Sequence, residues 1–316
     1  MSADVAIVIV TYNSAGEIAA CLRSVRDQRA RVTQQVIVVD NNSTDETTAI
    51  VREQFPEVVL IEPRKNLGFA AGCNLAASKA DAAYILLLNP DTEVLDHGID
   101  VIVDFARQHP HYGLYGGRAF RPDGSLERSS CWGAPTLWSF TTFALGLSAI
   151  ARHNALLDPE SLGSWPRDTV RTVGVITGCF LLASKTDWDR LGGFDERYFM
   201  YGEDADLTRR AWDLGMKPVI CPDAKFMHEV GKSSATRLAK SMLLYKGKAC
   251  YVRTHWKGLH QSLGLAMLSF GVWLRAMGER IRGFDTESAD QSPWSGLWRR
   301  RREWRAGYPH QRPAGP

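Results

Sequence analysis

The first ninety residues alternate between short apolar runs and polar segments that can begin helices. Apolar runs of strand length lie at 5–10, 36–39, 58–61 and 85–88, with helical segments expected to end near residues 27, 55 and 78. Ser14 and Ser43 are each followed three residues later by glutamate, which is the spacing of a capping box at a helix N-terminus. This order predicts an α/β fold, with a mostly parallel sheet, right-handed crossovers and helices on both faces.

Polar residues follow each of the four predicted strands. They are Thr11, Tyr12 and Asn13, then Asp40, Asn41 and Asn42, then Asn66 and Gly68, and finally Asn89 and Asp91. In an open α/β sheet the crevice at the carboxyl ends of the strands binds ligands. Asp40 can accept from a base N–H or a ribose hydroxyl, Asn66 can bond a phosphate or the ribose, and Gly68 permits close backbone approach. Any one of them alone suits a turn or cap, but four similar strand ends favour a nucleotide site.

Asp91 stands just past the end of the fourth strand. Proline cannot donate to a ladder and restricts the residue before it, so Asn89 and Pro90 must end that strand. A carboxylate placed there suits a cation or a sugar hydroxyl, and the alternative is that Asp91 only starts a turn. A dinucleotide fingerprint and a P-loop are both absent from the sequence, which disfavours a dehydrogenase or a P-loop enzyme. Without a glycine cradle, a bound diphosphate is expected to need a metal ion.

A second group of carboxylates lies in the segment 192–210, after a cluster of aromatic residues. Glu203 and Asp204 run from this cluster into a predicted helix, where a carboxylate can take a proton from an attacking hydroxyl. Asp206 and Arg210 are four apart and are expected to form an ordinary surface pair along the helix. Capping and surface pairing are the alternative for all of these carboxylates.

Composition and charge narrow the class of protein. The chain has 316 residues, 45% of them apolar, which is enough for one large or two modest domains with a sizeable core. Six scattered cysteines without a C-x-x-C pair fit a reducing compartment. The start lacks a basic segment and is interpreted as a first strand rather than a signal peptide. A net charge of +3 is too small to indicate nucleic acid.

Two apolar segments have more than one interpretation. Residues 132–150 carry no charge and suit a core helix, a mobile acceptor loop or a membrane-facing patch. The apolar run at 263–274 is too short for a transmembrane helix of about 20 residues and better suits an interfacial helix. Tryptophans and arginines at 294–304 repeat that character, so the segment 255–316 is expected to contact an anionic membrane peripherally. A helix packed on the catalytic domain, or a homo-oligomer contact, followed by a disordered tail, is the alternative.

These motifs, taken together and in order, resemble those of the inverting family-two glycosyltransferases with a GT-A fold. The resemblance is greatest to the rhamnosyltransferase branch of bacterial cell-wall and surface polysaccharide synthesis. It is carried by the segments 8–13, 38–43, 66–70, 88–91, 177–180 and 192–210, and it extends over about residues 5–232.

The resemblance implies a role for each candidate residue. Thr11, Tyr12, Asn13, Asp40 and Asn42 are implied to hold the base and sugar of a nucleotide-sugar, and Asn66 with Gly68 to border its diphosphate and ribose. Gly178 and Cys179 are implied to lie on the acceptor side. Asp91 and His228 are implied to bind Mg²⁺ or Mn²⁺, and Asp204, beside Glu203, to be the general base. Asn89 replaces the first aspartate of the family's D-x-D element, which makes metal contact by that residue doubtful, since these cations prefer carboxylates.

The sequence thus leads to one favoured function and three alternatives. We expect inverting transfer of L-rhamnose from dTDP-L-rhamnose to a polyprenyl-diphosphate-linked saccharide, at the cytoplasmic face of the cell membrane. A UDP-hexose donor, a sugar-nucleotide pyrophosphorylase and an inactive scaffold are the alternatives. The expected division of the chain is a nucleotide-sugar half at 1–95, an acceptor and catalytic half at 96–254, and a helical, amphipathic extension at 255–316.

Overall fold

The computed structural model describes residues 2–28, 30–228, 236–282 and 293–308. It has two compact units, one formed by 1–132, 165–195 and 204–233, the other by 133–164, 196–203 and 234–316. The strands are β1 (Ala3–Thr11), β2 (Gln34–Asp40), β3 (Val59–Ile61), β4 (Ala82–Leu88), β5 (Thr92–Val94), β6 (Leu114–Phe120), β7 (Leu126–Glu127), β8 (Cys131–Trp132), β9 (Arg171–Thr172), β10 (Val175–Ile176), β11 (Phe180–Ser184) and β12 (Val219–His228). The helices are α1 (Ile18–Arg26), α2 (Thr47–Gln54), α3 (Phe69–Ser78), α4 (Gly98–Gln108), α5 (Leu137–Ala144), α6 (Leu147–Ile150), α7 (Lys185–Leu191), α8 (Glu203–Asp213), α9 (Arg237–His255), α10 (Gly258–Ile281), α11 (Pro293–Arg299) and α12 (Arg301–Arg305).

The first unit contains a ten-stranded sheet with the order β3-β2-β1-β4-β11-β6-β12-β5, with β7 on β6 and β9 on β12. Strands β1 to β4 are mutually parallel, as the alternating pattern predicts. Strand β11 then runs antiparallel to both β4 and β6, while β12 is parallel to β6. The sheet is therefore mixed, and its parallel half is the one that the first ninety residues predict.

Helices cover both faces of this sheet. The odd-numbered residues of β1, such as Ile7 and Ile9, form one core with α1, α2 and α4. Val10 points to the other face, where α3 approaches so closely that a Cβ on Gly72 would lie 2.9 Å from Val10. Alternation of side chains along a strand explains why β1, buried on both faces, is a continuous apolar run.

Both predicted capping boxes are wrong, although the helices after them are present. Helix α1 begins after Glu17 without a side-chain cap, and the Ser14 carbonyl accepts from the N–H of Glu17 and Ile18. Helix α2 likewise lacks a side-chain cap, and the Ser43 hydroxyl donates instead to Asp40 at 2.5 Å. Serine hydroxyls bond readily to nearby loop groups, and at Ser43 that bond replaces the cap.

The second unit, in its described residues, consists mainly of helices, with α10 packed on α5 and α11, and α9 on α11 and α12. Its core includes Trp304, which is fully buried and donates its indole N–H to the Leu297 carbonyl at 2.9 Å. The Arg275 guanidinium lies 3.9 Å from the centre of the Phe143 ring. The expectation that the tryptophans of this tail face lipid is therefore wrong for Trp304. The core-helix interpretation of 132–150 is confirmed for α5, whose Phe140 is buried.

In the described part of the chain, no helix has the length and apolar character needed to cross a membrane.

Candidate active site

Thr11 and Asp40 form a buried pair at the carboxyl ends of β1 and β2. They face each other in the parallel register, and the Thr11 hydroxyl donates to the Asp40 carboxylate at 3.1 Å. The N–H of Ser43 donates to the second Asp40 oxygen at 2.8 Å. Asp40 is only 2% exposed, so these bonds inside the chain fix the direction in which its carboxylate points.

The two loops that follow β1 and β2 are bonded to each other. Asn13 donates its N–H to the Ser43 hydroxyl at 2.8 Å, and its side-chain oxygen accepts from the Thr44 N–H at 2.8 Å. Asn13 and Asn42 both have positive φ, of 52° and 67°, a conformation that asparagine tolerates better than most residues. Asn42 is exposed, and so is Tyr12, whose ring is free of the core and half accessible.

The loop after β3 joins this group through Asn41, which is buried between the strand ends. Its amide donates to the Gly68 carbonyl at 3.0 Å and accepts from the Leu67 N–H at 3.2 Å. The Asn66 side chain accepts from the Gly68 N–H at 2.9 Å, and Gly68 has a φ of 82°. Residues from three strand ends thus converge on one edge of the sheet, as the sequence predicts.

The fourth strand end is held by the antiparallel strand beside it. The Asn89 N–H donates to the Cys179 carbonyl at 3.2 Å, extending the register in which Leu88 faces Phe180. Asn89 and Asp91, expected on the nucleotide side, therefore lie next to Cys179, expected on the acceptor side.

Asp91 and His228 lie together, although the chain separates them widely. Strand β5 follows Asp91 directly and pairs with the end of β12, which places His228 opposite Thr92. The Asp91 Oδ1 atom lies 3.4 Å from His228 Nε2 and is buried without a hydrogen-bond partner. His228 Nδ1 lies 3.4 Å from the Ser129 hydroxyl, which helps to orient the ring.

This pair fits a divalent cation. Two ligand atoms at right angles on a metal with bonds of about 2.1 Å stand about 3 Å apart, close to the separation found here. A buried carboxylate oxygen that lacks a donor would gain one partner from the ion. No cluster of three or more His, Cys, Asp or Glu suited to a metal occurs in the described residues.

Asp204 stands in the first turn of α8, with its carboxylate near the Gly178 N–H. Burial raises its pKa from 3.8 to about 6, while the N–H groups of Ala205 and Gly178 favour the charged form. Burial also raises the pKa of the neighbouring Cys179 thiol to about 12, and the charges of both Asp91 and Asp204 add to that shift. Asp91 and Asp204 thus both lie within electrostatic range of the Cys179 thiol.

The two other carboxylates near Asp204 in sequence, Asp206 and Glu203, interact with different groups. The Asp206 carboxylate accepts from Arg210 at 2.8 Å, which confirms the predicted pair, but Asp206 is 1% exposed and the pair is not on the surface. Arg210 also donates to the Leu191 and Gly193 carbonyls, so it anchors the segment that precedes the helix. Glu203 is buried within the second unit, where it raises the pKa of Tyr308 in addition to the larger effect of burial.

Two residues of the site, Asn41 and Ser129, received no individual role from the sequence. Asn41 stood in the polar stretch after β2, and its central position among three asparagine-rich strand ends was the available signal. Ser129 gave no signal, since its contact with His228 depends on pairing between residues 99 positions apart.

Comparisons with known proteins agree with this geometry. Residues 6–155 match the family model described as glycosyl transferase family 2, and residues 171–232 match one described as the N-terminal domain of galactosyltransferase. The chain is 29% identical over 263 residues to N-acetylglucosaminyl-diphospho-decaprenol L-rhamnosyltransferase of Mycobacterium tuberculosis, covering 74% of this chain and 80% of that one. It is 31% identical over 170 residues to rhamnosyltransferase WbbL of Escherichia coli K12, covering 51% of this chain and 60% of that one.

Among solved structures, the chain resembles the mannosyltransferase PcManGT of Pyrobaculum calidifontis, solved with GDP-Man and Mn²⁺. The TM-score is 0.56 at 16% identity, over 97% of this chain and 86% of the other. This similarity, with the parallel β1–β4 half-sheet, shows that the fold is GT-A-like. The chain belongs to the family-two glycosyltransferases, in their rhamnosyltransferase-like branch.

Proposed function

We propose that this glycosyltransferase moves L-rhamnose from dTDP-L-rhamnose to a hydroxyl of a polyprenyl-diphosphate-linked saccharide, with inversion at the anomeric carbon. The observations that carry the proposal are the Asp91–His228 pair and the position of Asp204, whose charge, like that of Asp91, acts on the buried Cys179 thiol. The sugar and the acceptor class follow the relatives, one of which is an L-rhamnosyltransferase named for N-acetylglucosaminyl-diphospho-decaprenol.

The donor binds at the edge formed by the ends of β1 to β4. The Asp40 carboxylate, held by Thr11 and Ser43, offers a fixed acceptor for a base N–H or ribose hydroxyl. The exposed ring of Tyr12 can stack on the base. Gly68 allows the backbone to approach the diphosphate, and Asn89 offers a neutral amide to the ribose.

Asp91 and His228 hold a divalent cation, Mg²⁺ or Mn²⁺. When bound, that ion neutralises the charge that develops on the leaving diphosphate. The GT-A neighbour solved with Mn²⁺ supports this assignment by analogy of fold. Ser129 orients His228 so that Nε2 faces Asp91.

Asp204 is the general base. Its raised pKa of about 6 leaves it ionised at neutral pH yet basic enough to accept a proton. It takes the proton of the acceptor hydroxyl as that oxygen bonds to the anomeric carbon and the bond from this carbon to the diphosphate oxygen breaks. The attack comes from the face opposite the leaving group, so the configuration inverts and no covalent intermediate forms on the protein.

An acceptor that carries a polyprenyl chain resides in a lipid bilayer. The enzyme therefore works at the inner face of the cell membrane, in contact with anionic lipid. This surface contact is peripheral and supports the exchange of acceptors between turnovers.

Calorimetric titration of the purified chain with dTDP and with UDP, each with and without Mn²⁺, tests the donor assignment. We expect metal-dependent binding with dTDP preferred, and Asp91→Asn serves as the matched control that loses the metal dependence. Preference for UDP would keep the mechanism but move the donor to a UDP-hexose. Binding of neither nucleotide would favour an inactive scaffold, and a response to a nucleoside triphosphate alone would favour a pyrophosphorylase.

A further inference from the structure

Helix α10 exposes a continuous apolar stripe along its outer side. The stripe, called the outer stripe below, consists of side chains that are between 36% and 86% exposed: Leu259, Leu263, Phe270, Trp273, Leu274 and Ile281. At 100° per residue these six positions fall within an arc of about 100°. Phe270 and Trp273 contact each other, with ring centroids 5.4 Å apart. A run of large exposed side chains on one helix face is uncommon and marks an interaction surface.

The opposite side of α10 packs within the second unit. Leu265, Leu268, Val272 and Ala276 are buried there, against α5 and α11. A Cβ on Gly271 would lie 2.3 Å from the Phe143 ring, so the two helices are in close contact. Because half of its circumference is committed to protein, α10 can offer lipid only one face and cannot be surrounded by it. That geometry is typical of a helix lying in the plane of a membrane interface.

The charges around the outer stripe are positive at both ends. Lys257 is exposed at the N-terminal end, and Arg280 and Arg282 at the C-terminal end. Glu279 is the one acidic residue of α10, and its carboxylate accepts from the N–H groups of Trp294 and Ser295, at 3.4 and 2.8 Å, on the packed side. The outer face of this helix therefore presents apolar side chains between cations and no carboxylate.

We propose that the outer stripe of α10 docks on the surface of an anionic lipid bilayer. This inference deepens the proposed function, on which it rests, by naming the surface that meets the membrane. Apolar side chains enter the boundary between headgroups and acyl chains, and the basic ends bind anionic headgroups. Trp273 is suited to that boundary, since its ring is amphipathic.

Charge favours a bilayer over a second copy of the chain as the occupant. If two copies packed stripe to stripe, either orientation of the helices would place cationic ends against cationic ends. Such a contact has like charges at both edges, whereas anionic lipid offers a complementary charge along the whole helix.

Vesicle co-sedimentation of the full chain tests the proposal, with phosphatidylglycerol-containing vesicles compared with pure phosphatidylcholine. The variant Leu263→Gln, Phe270→Gln, Leu274→Gln should lower the partition coefficient at least about a hundredfold, since three apolar side chains no longer leave water. The matched control Val59→Gln, Val170→Gln, Leu214→Gln replaces equally exposed apolar residues of the first unit and should bind as the wild type does. Binding should also weaken with added salt and in pure phosphatidylcholine.

A second measurement locates the helix directly. Lipids brominated on their acyl chains should quench the fluorescence of Trp273. The fluorescence of Trp273 is obtained by subtracting the spectrum of the Trp273→Phe variant from that of the wild type. Equal vesicle binding by the wild type and the triple variant would overturn the proposal. So would a wild-type dimer that the triple variant dissociates while vesicle binding is unchanged, since the stripe would then bind a second copy. Vesicle binding through the stripe by an enzyme that transfers no sugar, even to a water-soluble acceptor, would instead overturn the proposed function.

Discussion

Replacing Asp204 by asparagine should make the protein more stable and inactive at the same time. Burial raises the pKa of the Asp204 carboxyl from 3.8 to about 6, so the folded chain carries this charge at neutral pH in a site that disfavours it. A general base must be ionised to accept a proton. The protein therefore keeps the buried charge of Asp204, which lowers its free energy of unfolding. Asparagine keeps the oxygen that accepts from the Ala205 N–H at 2.7 Å and removes only the charge and the proton acceptor.

The size of this stabilisation and its dependence on pH both follow from the raised pKa of Asp204. A rise of about 2 pKa units corresponds to about 3 kcal/mol, and partial exposure of Asp204 reduces the effect to about 1–3 kcal/mol at pH 7.5. The folded pKa lies above the unfolded one, so the folded state binds more protons between pH 3.8 and about 6. The contribution of Asp204 to stability therefore falls as pH rises through that window and is constant above it. The advantage of Asp204→Asn should accordingly be about half as large at pH 5 as at pH 7.5.

Urea unfolding at the two pH values measures this advantage, and a turnover assay with the nucleotide-sugar measures the loss of activity, expected to be about 10²–10⁴-fold. Asp206→Asn is the matched control on the same helix. Its carboxylate is buried and accepts from Arg210, so this substitution should destabilise the protein by about 3 kcal/mol. An Asp204→Asn protein that unfolds at the same or lower urea concentration than wild type at pH 7.5 would refute the desolvation argument. Normal turnover would refute the assignment of the base.

Two further predictions concern packing and the metal. Gly247→Ala should destabilise the protein by about 1–3 kcal/mol, because a Cβ would lie 2.0 Å from the Tyr201 carbonyl oxygen. Gly278→Ala is the control, since a Cβ there would have nothing within 4 Å, and it should stabilise its helix by up to about 1 kcal/mol. Urea unfolding of both variants decides this, and equal effects would contradict the close approach. Asp91→Asn and His228→Gln should each weaken Mn²⁺ binding in the presence of dTDP at least about tenfold, as measured by calorimetry, and unchanged affinity would exclude that side chain as a ligand.

The nucleotide side of the site was predictable because its parts are local. A strand that is buried on both faces is a continuous apolar run, and its end is visible where polar residues such as Thr11 and Asp40 begin. Parallel neighbours place such ends at one edge without any knowledge of the register. Asn41, whose side chain joins two of the loops, was recognisable in the sequence as a polar residue, but its burial was not.

The predictions that were wrong share a physical cause. Ser14 and Ser43 were each assigned a helix cap from their near neighbours in sequence, and Asp206 a surface pair, of which the pair is present but not on the surface. In the fold, the Ser43 hydroxyl donates to the Asp40 carboxylate, and the Asp206 carboxylate is buried and pairs with Arg210. Trp304 was grouped with nearby arginines, yet it fills the core of the second unit. Burial depends on partners distant in sequence, which a local pattern does not identify.

The register between β4 and β11 places Cys179 beside the end of β4. Leu88 faces Phe180 across an antiparallel pair, so Cys179 lies beside Asn89. The charges of Asp91 and Asp204 both act on the thiol of Cys179. A slip of one residue would turn every side chain of one strand to the opposite face of the sheet. Strands separated by about ninety residues carry no local signal for their register. The sequence therefore singled out Asp91 and Asp204 as separate candidates, while the position of Cys179 beside the end of β4 follows from how the two strands pack.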